Sequence, residues 1–335
     1  MPLPLPTINI VASQMTASKG ARAIRPRWRV SARLYRWVTV AALVALAVIV
    51  VTGAAVRLTG SGLGCTDWPT CEEGQFFAEL DNVHAMVEFL NRLFTGVVSL
   101  AVILAVLGSL LRLPRRRDLT WLSLGLVAGV LAQIVWGGFT VWSKLRPEMV
   151  MGHYLISAVL LADAAVLVQR AATGGAPIGL AVPRKVLTMS RIMVALSVVV
   201  IVTGTVVTNT GPHAGDENAV RFSFDITSVA RIHAISVMVF AAVGIATLYL
   251  AYRSTPSSSP TGVTLRRRGG LLVGVVVAQA AIGYIQFFTG VPATLVGIHV
   301  FGSVLTLLAV MGVHLAMVER PPLEQPEPQP AIART

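Results

Sequence analysis

Four side chains stand out because of what surrounds them. Asn91, His153, His233 and His299 each lie inside a long apolar stretch, close to its start. An ionisable residue within such a segment is costly and by default marks a functional site. Two of them share a duplicated setting. Gln133-Ile-Val-Trp-Gly137 runs on to Gly152-His153, and Gln279-Ala-Ala-Ile-Gly283 runs on to Gly297-Ile-His299. In both, the glutamine precedes the glycine by four residues and the histidine by twenty. A core histidine bonded to a neighbouring helix would explain either one alone, but explains the repetition less well.

Two neutral imidazoles on facing helices suit axial ligation of a heme iron, one nitrogen above and one below, and helix bundles build cofactor sites this way. His233 and His299 are the expected pair. A zinc site would need more ligands than they offer. Asn91 takes the place that His233 holds in the other copy, and asparagine is not a usual heme ligand. A heme there would be held through His153 alone, with its other face open. Glu88 lies three residues before Asn91, so the two share a helix face. It could move a proton at the open edge, or simply pair with Arg92 or Arg57 near the interface. Arg57, Arg92 and Arg231 stand at the mouths of their helices. They could hold heme propionates or snorkel to the membrane surface. His314 lies too deep to be a ligand and His84 too shallow. His213 reads as a cap on the second pocket or a solvated turn, and Asp163 has no assigned role.

These residues need a membrane to be unusual in, and the composition supplies one. Hydrophobic residues make up 55% and charged residues 13%, against about 25% charged in soluble domains. Eight runs of about 20 apolar residues are long enough to span a bilayer: 37–56, 87–111, 119–140, 150–168, 186–208, 229–252, 271–288 and 293–318. The expected fold is an all-α integral membrane protein. Helix 1 ends with Val51-Thr-Gly53 and, seven residues on, Thr59-Gly60; helix 5 ends with Val202-Thr-Gly204 and Thr210-Gly211 at the same spacing. The chain therefore reads as a four-helix unit used twice, 35–170 and 187–318, joined by a linker at 171–186. Four helices return the chain to its starting side. The two tandem bundles should then be related by a pseudo-twofold axis along the membrane normal.

The net charge of +12 does not point to nucleic acid, because most of the basic residues cluster at 19–36, 112–117, 170–191 and 253–268, in the N-terminal tail and alternate connections. Acids fill two of the others: Asp67, Glu72, Glu73, Glu79 and Asp81, then Asp216, Glu217 and Asp225. This positive-inside pattern predicts a multi-pass protein of the bacterial cell membrane with both termini cytoplasmic and a basic rim suited to anionic lipid. Residues 1–34 and 319–335 read as disordered tails. The first is basic and free of acids, and would also fit a mitochondrial transit peptide. The only cysteines, Cys65 and Cys71, fall in the first outer loop, on the oxidising side. A disulfide staple is expected there; an exchangeable thiol pair is the alternative.

Val56-Arg57-Leu-Thr-Gly-Ser-Gly-Leu-Gly-Cys65-Thr-Asp-Trp-Pro69 followed by Cys71 resembles the first outer loop of the bacterial heme A synthases. So do Glu88-x-x-Asn91-Arg92, Gly211-Pro-His-Ala-Gly-Asp216 and the paired Gln-to-His helices. The likeness covers about residues 35–318. It implies oxidation of the C8 methyl group of heme O to a formyl group, giving heme A for terminal oxidases. It implies heme B as cofactor, heme O as substrate, and a heme O synthase and an electron donor as partners. The family's catalytic carboxylate maps onto Glu88. Many members carry histidine where this chain has Asn91. Two other functions compete: a membrane b-type cytochrome passing electrons between quinol and an acceptor, and a heme-handling chaperone. The first predicts two closed bis-His sites, which Asn91 opposes; the second needs no carboxylate beside the iron.

Overall fold

The computed structural model describes residues 29–71, 77–78 and 81–323. Expectations for the N-terminal tail before residue 29, for Glu72, Glu73 and Glu79, and for the end of the C-terminal tail lie outside these. Eight helices carry the fold: α1 Ala32–Leu58, α2 Val83–Leu111, α3 Arg117–Trp142, α4 Pro147–Ala171, α5 Arg184–Thr210, α6 Ile226–Ser254, α7 Pro260–Phe288 and α8 Ala293–Ala316. All eight are long and apolar enough to cross a membrane, at 24 to 29 residues each. At 1.5 Å rise they reach roughly 36–44 Å, more than the ~30 Å hydrocarbon core. The chain is an all-helical, multi-pass membrane protein.

The helices begin where local chemistry allows. Ser31, Asn82, Asp225 and Ser259 each accept a hydrogen bond from a backbone N–H three residues on, which satisfies one of the exposed donors of a first turn. Pro147 and Pro260 open α4 and α7, where a missing N–H costs nothing.

The duplication extends to the backbone. The α3–α4 turn holds Lys144 and Leu145 at positive φ, and the α7–α8 turn holds Gly290 and Val291 likewise. Leu145 N–H bonds to Thr140 O and Val291 N–H to Gln286 O. Both turns lie the same distance before their histidine, so each sets the depth of that histidine in the same way.

Within each half the consecutive helices pack side by side, and the first helix closes against the fourth. The halves meet through α1 on α8, α4 on α5, and α4 on α8. Interchanging the copies turns the first contact into the second and leaves the third unchanged. Helix α8 is the most enclosed. Its Val304, Leu307 and Met311 join the core of the first half, while Ala309, Val310 and Val313 join that of the second. Helix α7 lies at the other extreme, largely on the periphery.

The linker between the halves is more ordered than a plain connection. Gly179–Leu180 (β1) pairs antiparallel with Val318–Glu319 (β2) just past α8. The first residues of the expected C-terminal tail are therefore held in place. Likewise α1 begins at Ala32, inside the expected N-terminal tail.

Candidate functional site

Each of the four marked residues has a glycine from the preceding helix against it. A Cβ on Gly137 would lie 3.5 Å from His153 Cε1, on Gly204 3.1 Å from His233 Cε1, and on Gly283 3.3 Å from His299 Cε1. A Cβ on Gly53 would lie 4.0 Å from Asn91 Nδ2. The glycines leave room for these side chains close to the neighbouring helix.

Polar groups then fix the residues, in two patterns. Gln133 Nε2 donates to His153 O at 3.0 Å, and Gln279 Nε2 donates to His299 O at 2.9 Å. The glutamines therefore hold the backbone carrying each histidine and leave the ring alone. Gln133 also donates to Ser157 Oγ. The second pattern uses threonines of the Val-Thr-Gly pairs. Thr203 Oγ1 lies 3.0 Å from His233 Nδ1, and Thr52 Oγ1 donates to Asn91 Oδ1 at 2.8 Å. Thr203 Oγ1 also reaches the Val199 and Val200 carbonyls and Ser236 Oγ. With its proton on a carbonyl, Thr203 would accept from a protonated His233 Nδ1 and leave Nε2 with its lone pair, the tautomer an iron ligand requires. Sequence reading used these Thr, Gly and Gln residues only as markers of the repeat. Their equal spacing to the histidines was the available signal that they form the setting.

His233 and His299 face each other, with ring centroids 6.5 Å apart and planes at 82°. A metal atom between two imidazoles, bonded to each at about 2 Å, places the ring centres roughly 6 Å apart. His153 Nδ1 and His299 Nδ1 are buried and have no hydrogen-bond partner. A buried orphan ring nitrogen asks for an explanation. The spacing of the two rings fits a heme held by His233 and His299. Among the described residues no group of three or more His, Cys, Asp or Glu comes together; heme iron needs only one or two axial histidines.

Glu88 is buried in the first turns of α2. Its carboxylate accepts from Arg92 Nε at 3.1 Å and Nη2 at 2.5 Å, and from Cys65 N–H at 2.9 Å. Arg92 also donates to Asp67 O and Thr70 O. The Glu88–Arg92 pair thus grips the loop closed by the Cys65–Cys71 disulfide, whose sulfurs are bonded at 2.02 Å. Pairing with Arg92 was one of the two roles expected of Glu88.

Arg57 reaches across the molecule. It donates to His213 O at 2.7 Å, Asn209 Oδ1 at 3.1 Å and Thr208 O at 3.0 Å. It is a clamp between the halves. His213 belongs to the same seam, with Nε2 2.8 Å from Val291 O. Arg231 is exposed beside Asp225, in keeping with snorkelling. His84 Nδ1 bonds Ser61 Oγ at 2.9 Å, and His314 Nδ1 bonds Ser190 Oγ at 2.8 Å. Asp163 packs against Gly125.

The model of the cytochrome oxidase assembly protein family (COX15-CtaA) matches residues 35–311, a span that takes in every residue just described except His314. The chain belongs to that family. Relatives named "Heme A synthase" include those of Exiguobacterium sibiricum, 32% identical over 36% of this chain and 40% of the relative, and Lysinibacillus sphaericus, 34% identical over 31% and 36%. That of Listeria welshimeri is 30% identical over 38% and 43%. The matched part therefore spans about two fifths of the length of these relatives.

Proposed function

We propose that this chain is a heme A synthase, a membrane oxidoreductase that converts the C8 methyl group of heme O into a formyl group. The observation that carries this reading is the asymmetric pair of sites, one with two facing histidines and one with a histidine and an amide, in a family whose relatives are named for heme A synthesis. The second half holds heme B through His233 and His299. When bound, that heme supplies reversible one-electron chemistry. The first half takes heme O as substrate against His153. A b-type cytochrome with two closed sites fits less well, because Asn91 stands where the second pair of histidines would be completed.

The protein's own residues do the following. The Gln133 and Gln279 amides fix the depth of His153 and His299 through their backbone carbonyls. Thr203 sets the His233 tautomer. Turning a methyl into a formyl group adds oxygen to the carbon, with dioxygen as oxidant and electrons from a donor reducing its other oxygen atom to water. A positioned group must move the protons at the reacting edge. Glu88 has this role in our reading, one turn from Asn91, with Arg92 holding its carboxylate in place. Its bond to Cys65 N–H gives it a second role, as anchor of the cysteine loop. Positive-inside charge supports a bacterial cell membrane location with the cysteine loop outward and both termini cytoplasmic. A heme O synthase as source of substrate and a separate electron donor complete the expected partners.

Glu88→Gln tests the first role, since it keeps the shape and removes the charge, while its one remaining oxygen can still accept from Arg92 or from Cys65 N–H. We expect the low-spin heme B spectrum to persist while heme A yield falls steeply and heme O, or a partly oxidised form, accumulates. Normal heme A yield would leave Glu88 as a structural anchor only.

A further inference from the structure

The two halves handle the same threonine differently. Thr203 Oγ1 stands 3.0 Å from a ring nitrogen; Thr52, also within 3.3 Å of Ile49 O, donates to the Asn91 carbonyl oxygen at the shorter 2.8 Å. An amide whose oxygen is taken has only its NH2 left to offer. Asn91 Nδ2 has no hydrogen-bond partner among the described residues, and nothing from Gly53 blocks it: even an added Cβ there would sit 4.0 Å away. Asn91 corresponds to His233 by its threonine and its glycine, and His153 corresponds to His299 by its glutamine and its glycine. With His233 facing His299, this correspondence puts Asn91 opposite His153 by analogy. An amide NH2 cannot ligate iron, but it is a good donor.

We infer that Asn91, aimed by Thr52, is a hydrogen-bond donor for a small exogenous ligand bound opposite His153, a diatomic or pseudohalide with an acceptor atom. Resting on the heme reading above, this assigns the first half a site that admits such a ligand and the second half one that does not. Asn91 is a positioning residue, and the Thr52–Asn91 hydrogen bond is its orienting device. Without Thr52 the amide can rotate and present its oxygen, which repels the ligand's lone pairs.

The test uses the full chain reconstituted with two equivalents of ferric heme B, with cyanide as the probe and absorption and electron paramagnetic resonance as readouts. The wild-type protein should show one low-spin heme indifferent to cyanide and one that binds it. The first should be lost in His299→Ala and the second in His153→Ala. Asn91→Leu should weaken cyanide binding on the order of tenfold, the worth of one hydrogen bond to a charged ligand. Thr52→Val should weaken it in the same direction with Asn91 intact. Asn91→His should convert the site to a second low-spin heme that ignores cyanide. The His233–His299 signal is the check that every variant other than His299→Ala is folded, and the cyanide-binding heme is the check for that one. Cyanide affinity unchanged in both Asn91→Leu and Thr52→Val overturns the inference, as does a wild-type first half that takes up no heme or no cyanide. Loss of the His299-dependent signal from the wild type would instead overturn the heme reading itself.

Discussion

At the scale of single residues, the ring-facing glycines decide what the site can accept. Replacing glycine by alanine within a helix ordinarily stabilises it by about 1 kcal/mol. At Gly204 the new methyl would stand 3.1 Å from His233 Cε1, closer than a relaxed contact, so the ring must shift. Gly204→Ala should therefore weaken the bis-His low-spin spectrum while helix content is kept. Gly53→Ala, with its methyl 4.0 Å from Asn91, should leave that spectrum unchanged. Visible spectra of the two variants beside circular dichroism make the comparison, and identical spectra would show that the ring seat does not depend on the glycine. Glu88 and Arg92 teach a related lesson about legibility. Their pairing four residues apart on one helix can be read from the sequence. The Cys65 N–H that completes the carboxylate's shell cannot, because a backbone group carries no residue identity.

At the scale of elements, the apolar runs and their duplication were plain in the chain, since bilayer thickness imposes a length that composition alone reveals. The expected segments fall within the eight helices with shifts of a few residues at the ends, with two exceptions. Helix α7 begins at Pro260, eleven residues before the expected run and inside the basic stretch read as a connection. Helix α8 gives way to β2 within the expected run. The β1–β2 pair was not legible: two short pairing segments on opposite sides of the second bundle have no pattern of their own. The facing of His233 and His299 was inferred from depth, and the ring distance agrees with it. The cysteine loop is anchored chiefly by the Glu88–Arg92 pair. Arg92 supplies two hydrogen bonds to its carbonyls as well as the ion pair. Arg92→Leu removes all of these and leaves a buried carboxylate without its cation, a loss of about 3 kcal/mol on the scale of buried pairs that lose a partner. Thermal unfolding in detergent should register it, with protease cleavage appearing first in the loop. An unchanged unfolding temperature would mean that the disulfide and the loop's other contacts hold it without Arg92.

At the scale of the molecule, the halves are tied at both ends of the bundle. Arg57 and the Gly62 N–H to Gly215 O bond secure the cysteine-loop end. Arg268 secures the other, reaching Gly312 O and Gln169 Oε1. The Arg57 contacts escaped sequence reading because their partners lie 151 to 156 residues away along the chain, beyond any local pattern. Between the two ends Tyr154 and Ser303 share a hydrogen bond at 2.5 Å. The serine equivalent in the other half, Ser157, is bonded to Gln133 instead, so the seam uses one copy of a repeated residue differently from the other. Helix α8, whose side chains fill both cores, has a consequence for biogenesis. It is the last of the eight helices to leave the ribosome, and synthesis proceeds at roughly 5–20 residues per second. Until it inserts, the first half lacks Val304, Leu307 and Met311 and the second lacks Val310 and Val313. Neither half can close early and wait for its twin. A nascent chain stalled after Gly290 should thus be open to protease in α1 and α4 as well as in α5, and should become resistant in all three together once α8 is released into the membrane.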